Sequence, residues 1–305
     1  MSDLPKSIRI NEEGPREGFQ FEKGPIPTAR KIELIDSLSK TGLKQIQTVS
    51  FVPPKNVPGM ADADEVVKGF TRAPGVSYTG LWLNDKGLER ALACGMGHLS
   101  MSSSASDAHS LKNVKRPAAE AFASLLELIR QAVSAGVRVR AGIQCAFGCV
   151  YKGAVPEVRV VEMAARLAET GASEINLADT TGMADPFQVR RLVAATRAAA
   201  PHLPLSIHLH DTRGLGLANM LAAYEAGVAT FDVAAGGLGG CPFVKGASGN
   251  VAAEDAVNLF ERIGVPTGID LPALCRVVER YEELLGRRLP GRMTRVLNAR
   301  QGLGT

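Results

Sequence analysis

The residues of this chain that could carry chemistry gather in a few short segments. One is Leu205-Ser206-Ile207-His208-Leu209-His210-Asp211. Side chains alternate along a β-strand, so His208 and His210 share one face about 7 Å apart, while Ile207 and Leu209 take the other. Two imidazoles so placed can chelate one metal ion; the alternative is a buried pair held by hydrogen bonds. Upstream, Asn11-Glu12-Glu13-Gly14-Pro15-Arg16-Glu17-Gly18 crowds carboxylates and an arginine onto a Gly/Pro-bounded turn. There Glu17 can supply a hard oxygen ligand, and Arg16 can hold an oxyanion with its planar fork of donors. The alternative is a solvated charged turn. Asp179, in Asn176-Leu177-Ala178-Asp179-Thr180-Thr181-Gly182, lies where a base, a partner behind a ligand or a turn cap would be useful.

The segment Gly236 to Asn250 holds six glycines in fifteen residues, which excludes strand and helix and leaves a lid or a backbone cradle. A thiol flanked by Gly240 and Pro242 is more exposed than a core cysteine, so Cys241 is a candidate acid or nucleophile. Asn250 can bring an amide oxygen to a metal or cap the helix that starts near Val251.

Elements must position these groups. β-rich runs near 7–12, 45–50, 76–82, 97–102, 137–143, 173–178, 204–210 and 230–234 alternate with helical patterns. Phe122, Leu125, Leu126, Ile129 and Val133 fall on one helix face; Val160, Met163, Ala164 and Leu167 repeat the spacing, as do Leu217, Met220, Leu221 and Tyr224. Gly42, Gly136, Gly171 and Gly227 sit between a helix and the next strand, where a C-terminal cap favours positive φ. Eight strands with intervening helices predict an α/β fold, a (β/α)8 TIM barrel. In that architecture chemistry sits at the C-terminal ends of the strands, where the segments above lie. The Gly-rich fingerprint of a doubly wound sheet is missing, as are Gly-x-Ser-x-Gly and a P-loop. The expected organisation is one domain over 1–305, with the barrel at about 7–265. A helix near 270–286 and a basic, loose tail from Arg287 follow it.

Composition agrees. The chain has 305 residues, 45% hydrophobic and 22% charged, enough apolar matter for a large core and too much for global disorder. A net charge of +4 without a dense Lys/Arg block argues against nucleic acid as a partner, but leaves room for anionic small molecules. No apolar run approaches the roughly 20 residues of a membrane span, and the first residues lack a signal core, so a cytoplasmic location is expected. Five cysteines, an odd number, suggest reduced thiols, with Cys145 and Cys149 structural.

Taken in order, several motifs resemble the 3-hydroxy-3-methylglutaryl-CoA lyase family of metal-dependent aldolase and Claisen-type barrels. They are Gly14-Pro15-Arg16-Glu17-Gly18-Phe19-Gln20, Ser50-Phe51-Val52-Pro53-Pro54-Lys55, His208-Leu209-His210-Asp211-Thr212, and Gly237-Leu238-Gly239-Gly240-Cys241-Pro242 with Gly246-Ala247-Ser248-Gly249-Asn250. The match runs from about Ile8 to Arg288. The glycine–cysteine loop is a specific signature; the histidine pair is shared with the wider superfamily. The resemblance implies a divalent metal, Mg2+ or Mn2+, on Glu17, His208, His210 and Asn250. It also implies Cys241 as catalytic acid and Arg16 as the group that stabilises an enolate, with Asp179 and Glu12 assisting. Asp179 or His208 would serve as base. The implied reaction is retro-Claisen cleavage of a branched 3-hydroxyacyl-CoA thioester by a homodimer or higher homo-oligomer.

The sequence departs from the family pattern at Glu17, where the family usually has Asp, and at Gln47, where it usually has Glu. Trp82, Leu83, Gln144 and Asn176, around the expected acyl pocket, also differ. These departures keep rival readings open: a lyase for a citramalyl-CoA-like or isoprenoid-derived thioester, or a CoA-ester-binding barrel that has lost catalysis. An aldolase or condensing synthase of the wider superfamily would not need the glycine–cysteine loop.

Overall fold

Apolar residues at every second position generate eight strands: β1 Arg9–Glu12, β2 Gln45–Ser50, β3 Ser77–Leu81, β4 His98–Ser104, β5 Arg138–Gln144, β6 Glu174–Asp179, β7 Leu205–Leu209 and β8 Thr230–Val233. The computed structural model describes residues 4–22, 24, 26–239 and 249–302. The strands pair in chain order into a closed barrel. β1 lies parallel to β8 from the Arg9–Thr230 pair to the Glu12–Val233 pair. β4 runs two residues further than the sequence suggests, because Ser103 and Ser104 continue the ladder opposite Ile143 and Gln144. Two hydroxyls in a row read locally as a loop; the neighbouring strand makes them strand.

The helices pack their apolar stripes on the outside of the barrel. Ala118–Ser134 buries Phe122, Leu125, Leu126 and Ile129, and Glu157–Ala168 buries Val160, Met163, Ala164 and Leu167. Gly216–Glu225 buries Met220 and Tyr224, with Leu217 and Leu221 only partly covered. The four helix-to-strand glycines all take positive φ. Gly42 is the strictest: a Cβ there would lie 2.3 Å from the Gly268 carbonyl oxygen.

Beyond the barrel, helix Leu271–Leu285 stands where expected. The tail expected to be loose instead forms a helix, Met293–Gly302. Its first turn is capped from far away: the Asp255 carboxylate accepts hydrogen bonds from the Arg292 and Met293 backbone N–H groups, both at 2.9 Å. No local cap announces this helix. Among the described residues no helix is long and apolar enough to cross a membrane.

Candidate active site

Parity along the strands decides which side chains enter the barrel mouth. On β5, β6, β7 and β8 the residues Ile143, Leu177, Ile207, Leu209 and Phe231 are buried against the helices. Their neighbours Arg140, Gln144, Asn176, His208, His210 and Asp232 line a cavity of about 400 Å3. Above β1 the chain makes one five-residue π-helical turn, Gly14–Gly18. Such turns re-aim side chains that a regular helix would direct elsewhere. This one brings Arg16 and Glu17 over the mouth.

There Glu17 Oε1 lies 3.6 Å from His208 Nε2 and 3.4 Å from His210 Nε2. The two imidazole centroids are 5.1 Å apart. His208 Nδ1 faces Asp232 at 3.4 Å. An isolated bridge pairs His210 with Asn250. The Asn250 amide N–H donates to the Leu238 carbonyl at 3.0 Å, while its buried Oδ1 has no hydrogen-bond partner among the described residues. Gly239 makes this approach possible: its φ is +118°, and a Cβ would lie 2.7 Å from the Asn250 amide nitrogen. The structure therefore brings Glu17, His208 and His210 together, with Asn250 beside His210.

The donor set fits a divalent cation. Ligand atoms of Glu17, His208 and His210 all lie within 4.8 Å of one another. A buried amide oxygen without a donor costs free energy unless something positive reaches it, and Asn250 Oδ1 is such an atom. Burial opposes ionisation of Glu17, yet the charges of His208 and Arg16 hold its carboxyl well below the usual carboxylate range. Burial likewise works against charge on His208, but Glu17, Asp232 and Glu13 push its imidazole up to about 9. Surroundings that hold a proton so firmly attract a metal cation by the same field.

A second triplet, Glu13, His208 and Asp232, is equally compact. Here the chain supplies its own cation. Arg140 Nη1 contacts Glu13 Oε1 at 2.8 Å, its Nη2 pairs with Asp232, and its Nε lies 2.9 Å from Glu174 Oε1. Glu174 in turn meets Arg9 at 3.1 Å. An ion-pair ladder thus climbs the barrel interior to the rim. Glu13, Arg140 and Asp232 were not singled out from the sequence, although a charge between Phe231 and Val233 on a strand was a usable signal.

Other expected site residues lie elsewhere. Glu12 does not line the cavity. Its Oε1 accepts from the Gly14 and Ala235 N–H groups at 2.8 and 2.9 Å, so it braces the start of the π-turn against the end of β8. The residue expected to assist the reaction thus stands behind the cavity wall, because Glu12 continues the outward face of Ile8 and Ile10. Both Asp179 oxygens are engaged by backbone N–H groups, Met183 at 2.7 Å and Ala184 at 3.1 Å. Cys241 lies outside the described residues. Of the expected acyl-pocket residues, Leu83, Gln144 and Asn176 line the cavity, with Gln47. Trp82 is fully buried and does not. Cys145 and Cys149 are buried free thiols.

Comparison with known proteins bears on the chemistry. The family described as HMGL-like matches residues 7–280. The chain is 41% identical over 295 residues to the hydroxymethylglutaryl-CoA lyase of Bacillus subtilis, covering 97% of this chain and 99% of that one. The crystal structure of the B. subtilis HMG-CoA lyase superposes with a TM-score of 0.94 at 41% identity, over 97% of this chain and 99% of the other. An HMG-CoA lyase from Acinetobacter baumannii, in complex with coenzyme A and 3-methylmalate, gives a TM-score of 0.90 at 41% identity, over 97% and 96% of the two chains.

Proposed function

Since the chain belongs to the HMGL-like family, we propose that it is a carbon–carbon lyase that cleaves 3-hydroxy-3-methylglutaryl-CoA to acetoacetate and acetyl-CoA. The observation that carries this reading is the convergence of Glu17, His208 and His210 beside Arg16, with Asn250 next to His210.

A divalent cation, Mg2+ or Mn2+, held by Glu17, His208, His210 and Asn250 would supply Lewis-acid polarisation of the substrate's hydroxyl and carbonyl oxygens. The chain's own groups do the rest. The tertiary hydroxyl proton passes to a base at the rim. Of the two expected bases, Asp179 has a backbone N–H on each oxygen, and His208 would act through Asp232, the carboxylate facing its Nδ1 at 3.4 Å, which would receive the proton. As that proton leaves, the oxygen becomes the ketone of acetoacetate. The C2–C3 electron pair moves onto the thioester, giving an enolate. Arg16, at the mouth, offers guanidinium donors to the enolate oxygen, a contribution of a few kcal/mol. A proton from Cys241 to carbon completes acetyl-CoA. Gln47, Gln144 and Asn176 surround the acyl group with neutral amides, so substrate choice rests on hydrogen-bond geometry there.

The whole chain acts as one lyase domain in the cytoplasm, as a homo-oligomer, on a CoA thioester. The test is a panel of thioesters, with 3-hydroxy-3-methylglutaryl-CoA, citramalyl-CoA and an isoprenoid-derived analogue, incubated with purified chain and Mg2+ or Mn2+. Acetoacetate and acetyl-CoA in equal amounts, abolished by chelation and restored by metal, are expected. Product only from another thioester would move the reading to that substrate. No cleavage by metal-loaded protein would overturn it in favour of a binding barrel.

A further inference from the structure

Glu13 has no part in the reaction as described above, yet it sits at the junction of the two charged regions of the site. We infer that Glu13 is a positioning residue that aims Arg16 at the reacting thioester; the inference rests on the lyase reading.

Each Glu13 oxygen contacts a guanidinium. Oε2 accepts from Arg16 Nη2 at 2.6 Å, and Oε1 accepts from Arg140 Nη1 at 2.8 Å. Arg140 is buried and also paired with Asp232 and Glu174, so this end is anchored in the barrel interior. The Arg16 end is carried on a single turn above β1. Its other edge is held by Gln47: Arg16 Nε donates to Gln47 Oε1, and the Gln47 amide donates to Ser100 Oγ at 2.7 Å. A guanidinium is planar and rigid, so holding Nε and Nη2 fixes where Nη1 points. Among the described residues Nη1 has no protein acceptor, and Arg16 lines the cavity. Nη1 is therefore the donor pair presented to substrate.

Glu17 cannot replace Glu13 in this duty. It also reaches Arg16 Nη2, at 3.0 Å, but its carboxylate is the oxygen donor facing both imidazoles. A carboxylate that binds a cation has little charge left for a guanidinium. Glu13, which meets His208 at 4.0 Å from the Nδ1 edge while Glu17 faces the Nε2 edge, and which is backed by Arg140, keeps its hold on Arg16 whether or not the cation is bound.

The test is Glu13→Gln in the full chain. Glutamine offers one acceptor where the carboxylate offers two, so one guanidinium loses its partner; Arg140 keeps Asp232 and Glu174, which protects the fold. kcat should fall by about tenfold to a hundredfold, the range expected when a catalytic donor is misplaced by about 1 Å. KM and the Mn2+ affinity, read by titration, should stay within about twofold. In an Arg16→Met background the same substitution should change kcat by less than about twofold, since Glu13 would have nothing left to aim. Equal losses in both backgrounds, or a matching loss of Mn2+ affinity, would overturn the inference. A wild-type chain that cleaves no thioester would remove the lyase reading instead. Crystal structures would then still decide: the Arg16 guanidinium should leave its wild-type orientation in Glu13→Gln and in Glu13→Leu, and an unmoved guanidinium in both would overturn the positioning role.

Discussion

Glu12 and Glu13 are adjacent, both buried, and belong to different regions of the molecule. Glu13 points into the barrel mouth, between Arg16 and Arg140. Glu12 points outward with Ile8 and Ile10 and, among the described residues, meets only backbone N–H groups from the turn after β1 and the end of β8. Behind it, Glu254 accepts from the Gly236 N–H at 2.9 Å, and the Tyr281 hydroxyl is buried nearby without a hydrogen-bond partner among the described residues. The inner region is rich in charges that answer one another. The outer one holds carboxyls, Glu12 and Glu254, that meet no cation among the described residues. Burial therefore pushes Glu12 up to about 8 and Glu254 up to about 7, while Glu17 at the rim stays ionised. Strand parity, more than residue type, assigns each acid its role.

The comparison breaks most sharply at Glu17. Glu17→Ala removes the oxygen donor from the rim set, so the protein should purify without bound divalent metal and turnover should fall by about a thousandfold, several kcal/mol of lost charge stabilisation. Metal analysis beside a steady-state assay checks both; full metal content in the variant would detach the cation from this cluster. Next comes the ladder below it. Arg140→Met leaves Glu13, Asp232 and Glu174 facing one another without their shared cation, and breaking a buried pair costs about 3–5 kcal/mol. Urea unfolding should show that loss as a lower midpoint with an unchanged slope.

The outer region is tested by pH. Glu12 has a folded-state pKa of about 8 against an ordinary value of 4.5, so folding keeps a proton that the unfolded chain releases. Its favourable effect is complete below pH 4.5 and is lost as pH rises towards 8. Stability of the wild type should therefore fall across that interval by an amount on the order of a few kcal/mol. Glu12→Gln, a fixed neutral mimic, should make the dependence shallower, leaving the part contributed by Glu254 and His208. Thermal unfolding between pH 5 and pH 8 reads the difference, and parallel curves for the two proteins would show that Glu12 is already ionised.

Much of this organisation was legible in the sequence, for physical reasons that also mark its limits. Apolar alternation over 204–210 placed His208 and His210 together on the inner face, because Ile207 and Leu209 could only face the helices. The same reasoning applied to Ile8, Ile10 and Glu12, or to Ile175, Leu177 and Asp179, sends both acids outward; there the family resemblance pulled the other way. Arg140 and Glu13 meet across 127 residues, and no local pattern announces a pairing at that separation. Helix Met293–Gly302 escaped notice for a similar reason, since its N-terminal N–H groups are satisfied by Asp255. Cys241, the most specific motif residue, lies outside the described part of the chain.

Asp179 gives the finest discrimination between the two regions. It lies one residue after Ala178, which lines the cavity, and one before Thr180, which also does. Its outward parity makes it a brace for the turn after β6: one oxygen for Met183 N–H, the other for Ala184 N–H. In Asp179→Asn one oxygen remains to accept, while the new amide N–H2 faces a backbone donor. One buried hydrogen bond is lost, a cost of about 1 kcal/mol. The expected result is a lower urea midpoint with metal stoichiometry unchanged, since both Asp179 oxygens hold the backbone of the turn after β6. A variant of wild-type stability that no longer retains metal would place Asp179 in the inner region and show that parity ceases to govern where β6 gives way to its loop.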